Sequence, residues 1–193
     1  MNDAFMIEAA QRFAHDAHDS IGQRRKYSGQ PYWVHTDEVA RIVASVTTDA
    51  HIISAAHLHD VLEDVTPSNG KFGASHIHDI FGSRVSDMVI DLTDVFVKEN
   101  YPHLNRATRK ELERTRMGKI SNDSKTVKLA DLISNSKDIT GSDKDFSRVY
   151  LREKALLLPF LVGGDKTLFS ECVGILKASG HSRHLPVDIL AMG

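Results

Sequence analysis

Apolar residues recur at helical spacing along almost the whole chain, and this periodicity constrains the fold more than any other feature. Val39, Ile42, Val43 and Val46 follow the i, i+3, i+4, i+7 spacing of one face of an α-helix, and residues 85–92 repeat it. Similar patterns predict helices over residues 3–19, 51–64, 73–81, 124–139, 146–162 and 166–178. No segment shows convincing alternation of apolar and polar residues, which is typical of β-strands. The sequence therefore predicts an all-α fold.

The length of the chain indicates a single domain. Its 193 residues, 41% of them apolar, suffice for one well-filled core but are few for two independent domains. Stretches rich in Gly, Pro, Ser and Asn, at residues 22–31, 66–73 and around 101–102, are interpreted as connections between helices of this domain. We expect the domain to span residues 1–180 and residues 181–193 to form a C-terminal extension.

Charge and cysteine content exclude several classes of partner. The net charge of −2 provides no basic field over the whole molecule, so we expect neither nucleic acid nor a membrane as a partner. The N-terminus is acidic and amphipathic, unlike a signal peptide, and no run approaches the roughly 18 apolar residues of a membrane span. Cys172 is the single cysteine, which excludes an internal disulfide and fits a core position in a cytoplasmic protein.

The segment AHLHDVLEDV, residues 56–65, concentrates ionisable side chains in an apolar context. On a regular helix His59, Glu63, Asp60 and Asp64 would lie at roughly 0°, 40°, 100° and 140°, and therefore on one face. The opposite face would carry Ala55, Leu58, Val61, Leu62 and Val65. A cavity lined by one histidine and three carboxylates suits a divalent cation. The alternative is a helix end whose acids are solvated.

Two further segments add inward-pointing polar residues. His35 precedes Val39 and Ile42 on the same helical stripe, so it should face the core, either as a hydrogen-bonded core histidine or as a ligand. Asp131 and Asn135 are four residues apart on an otherwise apolar helix. A buried aspartate needs a hydrogen-bonding partner or a cation. One cation would satisfy Asp131 together with His35 and the His59-Asp60 pair.

The order of these residues resembles a known family signature. His35, then His59-Asp60, then Asp131 is similar to the H…HD…D signature of the HD phosphohydrolase superfamily. The segments GQPYWVH, AAHLHDVLEDV, FGSRVSDMVIDLTD and KLADLISNSKDI together resemble the hydrolase domain of RelA/SpoT-type alarmone hydrolases, including their small stand-alone forms. The resemblance covers about residues 5–160. It implies an all-helical HD-domain bundle that removes the 3′-pyrophosphate of guanosine tetraphosphate or pentaphosphate with one Mn²⁺.

The resemblance also implies a role for particular residues. The metal ligands would be His35, His59, Asp60 and Asp131. The catalytic acidic pair would be Glu63 and Asp64, where a carboxylate can position water or accept its proton. The nucleotide, a small-molecule substrate, would be bound by Arg25, Lys26, Asn135 and Arg148. An exposed basic loop is the alternative for Arg25 and Lys26, and a solvent-facing arginine is the alternative for Arg148.

The chain departs from the family pattern in places that bear on the base. Ser134 occupies a position where alarmone hydrolases usually have an aromatic residue, and the loop from Gly22 to Tyr32 is one residue shorter than in some relatives. No synthetase or regulatory region follows, so we expect a single hydrolytic activity. Two other readings stay open: an HD phosphatase for another nucleotide, such as NADPH or a deoxynucleotide, and a catalytically silent binding module. The oligomeric state is left open.

Overall fold

A computed structural model describes residues 2–140 and 144–191, and within these residues the chain forms helices and no β-strand. The prediction of an all-α fold is confirmed. The helices are α1 (Asp3–Ser20), α2 (Trp33–Ala44), α3 (Ala50–Leu58), α4 (Ala74–Phe81), α5 (Ser83–Leu92), α6 (Arg106–Met117), α7 (Asn122–Thr140), α8 (Lys144–Leu157), α9 (Lys166–Ala178) and α10 (Val187–Leu190).

Helix α7 lies at the centre of the fold. It packs against α2, α3, α5, α8 and α9. Its side chains at Val127, Leu129, Ala130 and Ile133 are completely buried. A helix that is apolar around most of its circumference is stable only inside the core. Asp131, which lies among these apolar residues, is therefore directed to the interior, whereas Lys137 near the C-terminal end of α7 is exposed.

The predicted helix over residues 51–64 is wrong in its second half. Helix α3 ends at Leu58, and a π-helical turn, Val61–Val65, follows after His59 and Asp60. The Nδ1 of His59 lies 2.8 Å from the carbonyl oxygen of Ala56. Because this side chain occupies a carbonyl of the last turn of α3, it competes with the backbone ladder of the helix. The following turn has the i→i+5 hydrogen bonding of a π-helix, in which Thr66 N–H donates to Val61 O at 3.1 Å.

Two other differences from the predicted helices concern the end of α8 and the presence of α6. The predicted helix over 146–162 ends at Leu157 and continues as a 3₁₀ turn, Leu158–Leu161, which contains Pro159. Proline has no N–H to donate to the α-helical ladder, so the regular helix stops before it. Helix α6 was not predicted, because only Glu113 and Met117 of its residues are buried and it lacks an apolar stripe.

The C-terminal segment contributes to the core. Leu185 and Ile189 are 6% and 4% exposed and belong to the main hydrophobic cluster. The domain boundary at residue 180 stays a prediction, although at least these two side chains of the extension are packed on the rest of the fold. Within the described part of the chain, no helix combines the length and the apolar character required to cross a membrane.

Candidate metal centre

Three buried side chains from three helices converge on one point. His35 lies in the first turn of α2, His59 follows the last residue of α3, and Asp131 lies in the middle of α7. One possible ligand atom from each of them lies within 4.8 Å of the other two. The Nε2 of His35 is 3.3 Å from Asp131 Oδ1, and the Nε2 of His59 is 3.9 Å from it. This convergence is what a cation site requires.

Asp60 adds a second carboxylate to the cluster. Its Oδ2 lies 3.1 Å from His59 Nε2 and 3.6 Å from His35 Nε2. The hydroxyl of Tyr32 donates a hydrogen bond of 2.7 Å to the same oxygen. Two imidazoles and two carboxylates are therefore gathered together, and their role as metal ligands stays a prediction.

The inward nitrogens of the two histidines make no hydrogen bond within the protein, although carboxylate oxygens of Asp60 and Asp131 lie 3.1–3.9 Å from them. The Nδ1 atoms of His35 and His59 lie 3.0 Å from Ser134 Oγ and 2.8 Å from Ala56 O, whereas both Nε2 atoms are buried without a hydrogen-bond partner. Because a carbonyl oxygen can only accept, His59 carries its proton on Nδ1 when neutral and directs a lone pair from Nε2 into the cluster. Buried polar atoms without a partner are rare and require an explanation. These residues fit a divalent cation, and a mixed N/O ligand set suits a first-row transition metal.

The electrostatics of the metal-free cluster favour positive charge. Burial alone would lower the pKa of His59, but the carboxylates of Asp60 and Asp131 outweigh it and raise the pKa to about 9. Burial would raise the pKa of Asp60, yet His59 holds it well below its usual range. Burial likewise opposes ionisation of Asp131, whose pKa is lowered mainly by Lys128. The positive charge of protonated His59 thus lies beside the two carboxylates, where a cation would be held.

Asp131 is held from both sides on its own helix. Lys128 Nζ lies 2.9 Å from Asp131 Oδ2, and the side-chain amide of Asn135 donates to Oδ1. Asn135 was predicted to contact the nucleotide, which stays a prediction; in the structure its side chain contacts Asp131, a predicted metal ligand. Lys128 was not predicted, since a lone lysine in a helical pattern is typical of a surface position.

Glu63 and Asp64 lie on the π-helical turn rather than on a regular helix face. Glu63 Oε2 accepts a hydrogen bond of 3.1 Å from Asp94 N–H, and Asp64 Oδ2 accepts one of 2.8 Å from the amide of Gln23. Burial, which removes water from the carboxylate, raises the pKa of Glu63 to about 7, and the carboxylates of Asp94 and Asp60 act in the same direction. Burial and Asp60 similarly raise the pKa of Asp64 to about 6.

The predicted nucleotide-binding residues are not all gathered at one place. Arg25 is 8% exposed and pairs with Asp138 at 2.9 Å. It lines a cavity of about 240 Å³ together with Ser134, which contacts His35. Lys26 is exposed, with its Nζ 5.2 Å from the centre of the Tyr27 ring. Arg148 is exposed on α8.

A second group of cations borders the acidic pair and was missed at the sequence level. Glu63 shares a cavity of about 280 Å³ with Arg106, Arg109 and Lys110 of α6. Lys110 Nζ lies 3.1 Å from Asp94 Oδ2. The basic run RATRKELERTR, residues 106–116, was the available signal. Its closeness to Glu63 depends on a tertiary contact that spacing along the chain does not reveal.

An adjoining smaller cavity links these cations to the metal centre. It has a volume of about 70 Å³, and Lys110, Lys128 and Lys154 contribute to its lining. Asp94, Glu113 and Glu153 also line it, so the cations there are interspersed with carboxylates. Lys128, which pairs with Asp131, connects this mixed-charge cavity to the cation site. The arrangement places anion-binding groups next to groups that hold a cation and groups that exchange protons.

Fold and site together define a helical domain built around a histidine and aspartate cation centre. The profile of the HD domain family matches residues 10–156. The chain belongs to this family. The resemblance of the sequence to the HD superfamily is thereby confirmed.

The relatives include both short and long proteins. A guanosine-3′,5′-bis(diphosphate) 3′-pyrophosphohydrolase MESH1 from Xenopus tropicalis is 35% identical over 141 residues, covering 72% of this chain and 72% of that protein. A GTP pyrophosphokinase rsh from Brucella ovis is 27% identical over 165 residues, covering 78% of this chain but 21% of its own length. The chain thus spans about a fifth of the length of such long relatives.

A solved structure shares the architecture. It is described as a metazoan ortholog of SpoT that hydrolyzes ppGpp and plays a role in starvation responses. The two chains superpose with a TM-score of 0.76 and 26% sequence identity, covering 91% of this chain and 96% of the other. This similarity supports the HD-domain helical bundle that the sequence predicted.

Proposed function

We propose that the chain is a metal-dependent hydrolase that removes the 3′-pyrophosphate of guanosine tetraphosphate or pentaphosphate. The observation that carries the proposal is the convergence of two buried histidine Nε2 atoms on the carboxylates of Asp60 and Asp131, next to a cavity that Glu63 shares with cations of α6. The Xenopus relative is named as a guanosine-3′,5′-bis(diphosphate) 3′-pyrophosphohydrolase, and the protein of the solved metazoan structure is described as hydrolyzing ppGpp.

In this proposal His35, His59, Asp60 and Asp131 hold the cation, and we propose Mn²⁺ from the family resemblance and the mixed N/O ligand set. When bound, the ion would supply Lewis acidity that withdraws charge from phosphate oxygens and makes water easier to deprotonate. Tyr32 orients Asp60 through its hydrogen bond of 2.7 Å.

We propose Glu63 as the residue that accepts a proton from the attacking water. Its pKa of about 7 makes it a base that is partly ionised at neutral pH and strong enough to accept a proton. Asp64 is fixed by Gln23, whose Oε1 is in turn 2.7 Å from His18 Nδ1. This chain of hydrogen bonds would keep Asp64 oriented toward the same water while Glu63 exchanges the proton.

Cationic side chains in the two cavities next to Glu63 suit a substrate with phosphates at two positions. Arg106, Arg109 and Lys110 line the cavity beside Glu63, and Lys128 and Lys154 line the adjoining one. Ammonium and guanidinium groups stabilise phosphate oxygens through charge-assisted hydrogen bonds. We place the phosphates on this side of the centre. Arg25 and Lys26 remain proposed for the nucleoside end, and Arg148 for an outer phosphate.

The overall reaction consumes one water. Water attacks the phosphorus joined to the 3′-oxygen of the ribose, and the bond between that phosphorus and the 3′-oxygen breaks. The 3′-oxygen takes a proton, so guanosine tetraphosphate yields GDP and pyrophosphate. We propose a nucleotide as the only partner required for this reaction. A cytoplasmic location is supported by the buried free thiol of Cys172.

The experiment that tests the substrate is a comparison of kcat/KM across nucleotides in the presence of Mn²⁺. We expect guanosine tetraphosphate to exceed GTP, NADPH and deoxynucleoside triphosphates. A kcat/KM for NADPH or for a deoxynucleotide well above that for guanosine tetraphosphate would assign the site to another nucleotide.

A further inference from the structure

Ser134 connects a carboxylate of α2 to a histidine of the candidate metal centre. The Oγ of Ser134 donates a hydrogen bond of 2.8 Å to Glu38 Oε2 and lies 3.0 Å from His35 Nδ1. Ser134 is completely buried and His35 is 1% exposed. Glu38, Ser134 and His35 thus form a continuous hydrogen-bonded series that ends at the Nε2 of His35, which faces the aspartates.

The chemistry of these groups fixes the direction of the series. An ionised carboxylate can only accept hydrogen bonds, so the one proton of the Ser134 hydroxyl is used toward Glu38. The hydroxyl oxygen must then accept from His35, and the imidazole carries its proton on Nδ1. The lone pair of Nε2 is consequently directed into the cluster, as a metal ligand requires.

The neighbouring cations do not divert the charge of Glu38. Glu38 and Ser134 line the cavity of about 240 Å³ with Arg25 and Lys137. Arg25 pairs with Asp138 at 2.9 Å, and Lys137 pairs with Glu171 at 3.4 Å. Both basic side chains therefore have a carboxylate of their own, which leaves Glu38 available to polarise Ser134.

We propose that Glu38 and Ser134 are positioning residues that set the affinity of the centre for its cation through His35. His59 provides the internal comparison, because its Nδ1 meets only the neutral carbonyl of Ala56 at 2.8 Å. A hydrogen-bond partner on the other ring nitrogen raises the basicity of a metal-binding imidazole. His35 has a hydroxyl that is polarised by the charge of Glu38, whereas His59 has only a neutral carbonyl. The two histidines of the centre are therefore unequal ligands, with His35 the stronger one. This inference rests on the cation site of the proposed function.

The test measures binding of Mn²⁺ alone to the purified full chain by isothermal titration at neutral pH, without nucleotide. We expect Ser134→Ala to raise the Kd roughly 10- to 100-fold, the scale for losing a hydrogen bond to a metal-binding histidine. Glu38→Gln should raise it less, because an amide oxygen can still accept from Ser134. The double variant should bind about as weakly as Ser134→Ala alone, since both changes act on one series.

Ser136→Ala is the matched control. Ser136 is also buried on α7, and its hydroxyl donates to the backbone carbonyl of Leu132 at 2.6 Å. It should leave the Kd for Mn²⁺ within about twofold. If Ser134→Ala does not fold, Glu38→Ala replaces it, because Glu38 is only partly buried.

The outcomes separate the two proposals. If the wild type binds Mn²⁺ and Ser134→Ala or Glu38→Ala retains the wild-type Kd, the positioning role of Glu38 and Ser134 is wrong and the cation site stands. A wild-type protein that binds no divalent cation would overturn the proposed function and this inference together.

Discussion

Lys128 holds one oxygen of Asp131, its Nζ lying 2.9 Å from Oδ2, while the other carboxylate oxygen faces His35. Burial alone would lower the pKa of Lys128, but Asp131 and Asp94 raise it above its usual range. The lysine is therefore charged in the core. It compensates the buried carboxylate in the metal-free protein and fixes which oxygen is turned toward the centre.

Lys128→Met should destabilise the metal-free protein strongly. Removing one partner of a buried ion pair leaves the other charge uncompensated, which costs about 3 kcal/mol of unfolding free energy. Chemical denaturation in the presence of a chelator measures it. The control is Lys137→Met on the same helix, whose pair with Glu171 is exposed and should contribute less than about 1 kcal/mol. Equal losses of unfolding free energy in the two variants would show that the buried Lys128–Asp131 pair contributes no more than the exposed pair.

The metal content should follow the histidine and aspartate cluster. Protein purified without chelator should carry about one transition-metal ion per chain, and His59→Ala should lose it because an inner ligand is removed. Elemental analysis measures the content. Adding Mn²⁺ at a hundredfold excess over its Kd should stabilise the wild type by about 2.7 kcal/mol. His78→Ala, which changes an exposed histidine, is the control, and full metal occupancy in His59→Ala would refute the assignment.

Glu63→Gln should separate binding from chemistry. The amide keeps the size of the side chain but cannot accept a proton, so kcat should fall at least ~100-fold while Mn²⁺ still binds. The acidic limb of the pH profile should lie at or below about pH 7 in the wild type, because a bound cation lowers the pKa of about 7 found without metal. That limb should disappear in the variant. The control is Glu111→Gln on the exposed face of α6, which should change neither kcat nor Mn²⁺ binding. An unaltered kcat in Glu63→Gln would show that Glu63 takes no part in the reaction.

Lys154 should make stability depend on pH. Burial, and then the charge of Lys128, lowers the pKa of Lys154 from 10.5 to about 8. Between these two values the unfolded chain binds the proton and the folded protein does not, so the unfolding free energy rises with pH through this window. We expect the wild type to gain about 1–3 kcal/mol relative to Lys154→Met between about pH 7 and 10. Urea denaturation of both proteins across this range measures it, and parallel curves would contradict the prediction.

The sequence predicted those elements in which local pattern and tertiary environment agree. The apolar stripe of Val39, Ile42 and Val43 predicted α2. The position of Asp131 in the apolar pattern of α7 predicted that its carboxylate is buried. Helix α6 lacks such a stripe. Its buried Glu113 is paired with Arg116 on the same helix and also accepts hydrogen bonds from the N–H groups of Val95 and Phe96, which belong to another segment.

The features of the site that the sequence did not reveal depend on contacts between distant segments or on a local competition. The interruption after Leu58 arises because the His59 side chain bonds the carbonyl of Ala56 instead of letting the helix continue. Ser134 was noticed only as a departure from the family pattern. Its bond to Glu38 joins residues 96 positions apart, which periodicity cannot detect.

Phosphorus NMR of guanosine tetraphosphate incubated with the protein and Mn²⁺ tests the proposed activity most directly. We predict GDP and intact pyrophosphate in equal amounts, with no reaction after chelation or in His59→Ala. Release of orthophosphate, or products that form equally well in the presence of a chelator, would contradict a metal-dependent 3′-pyrophosphohydrolase.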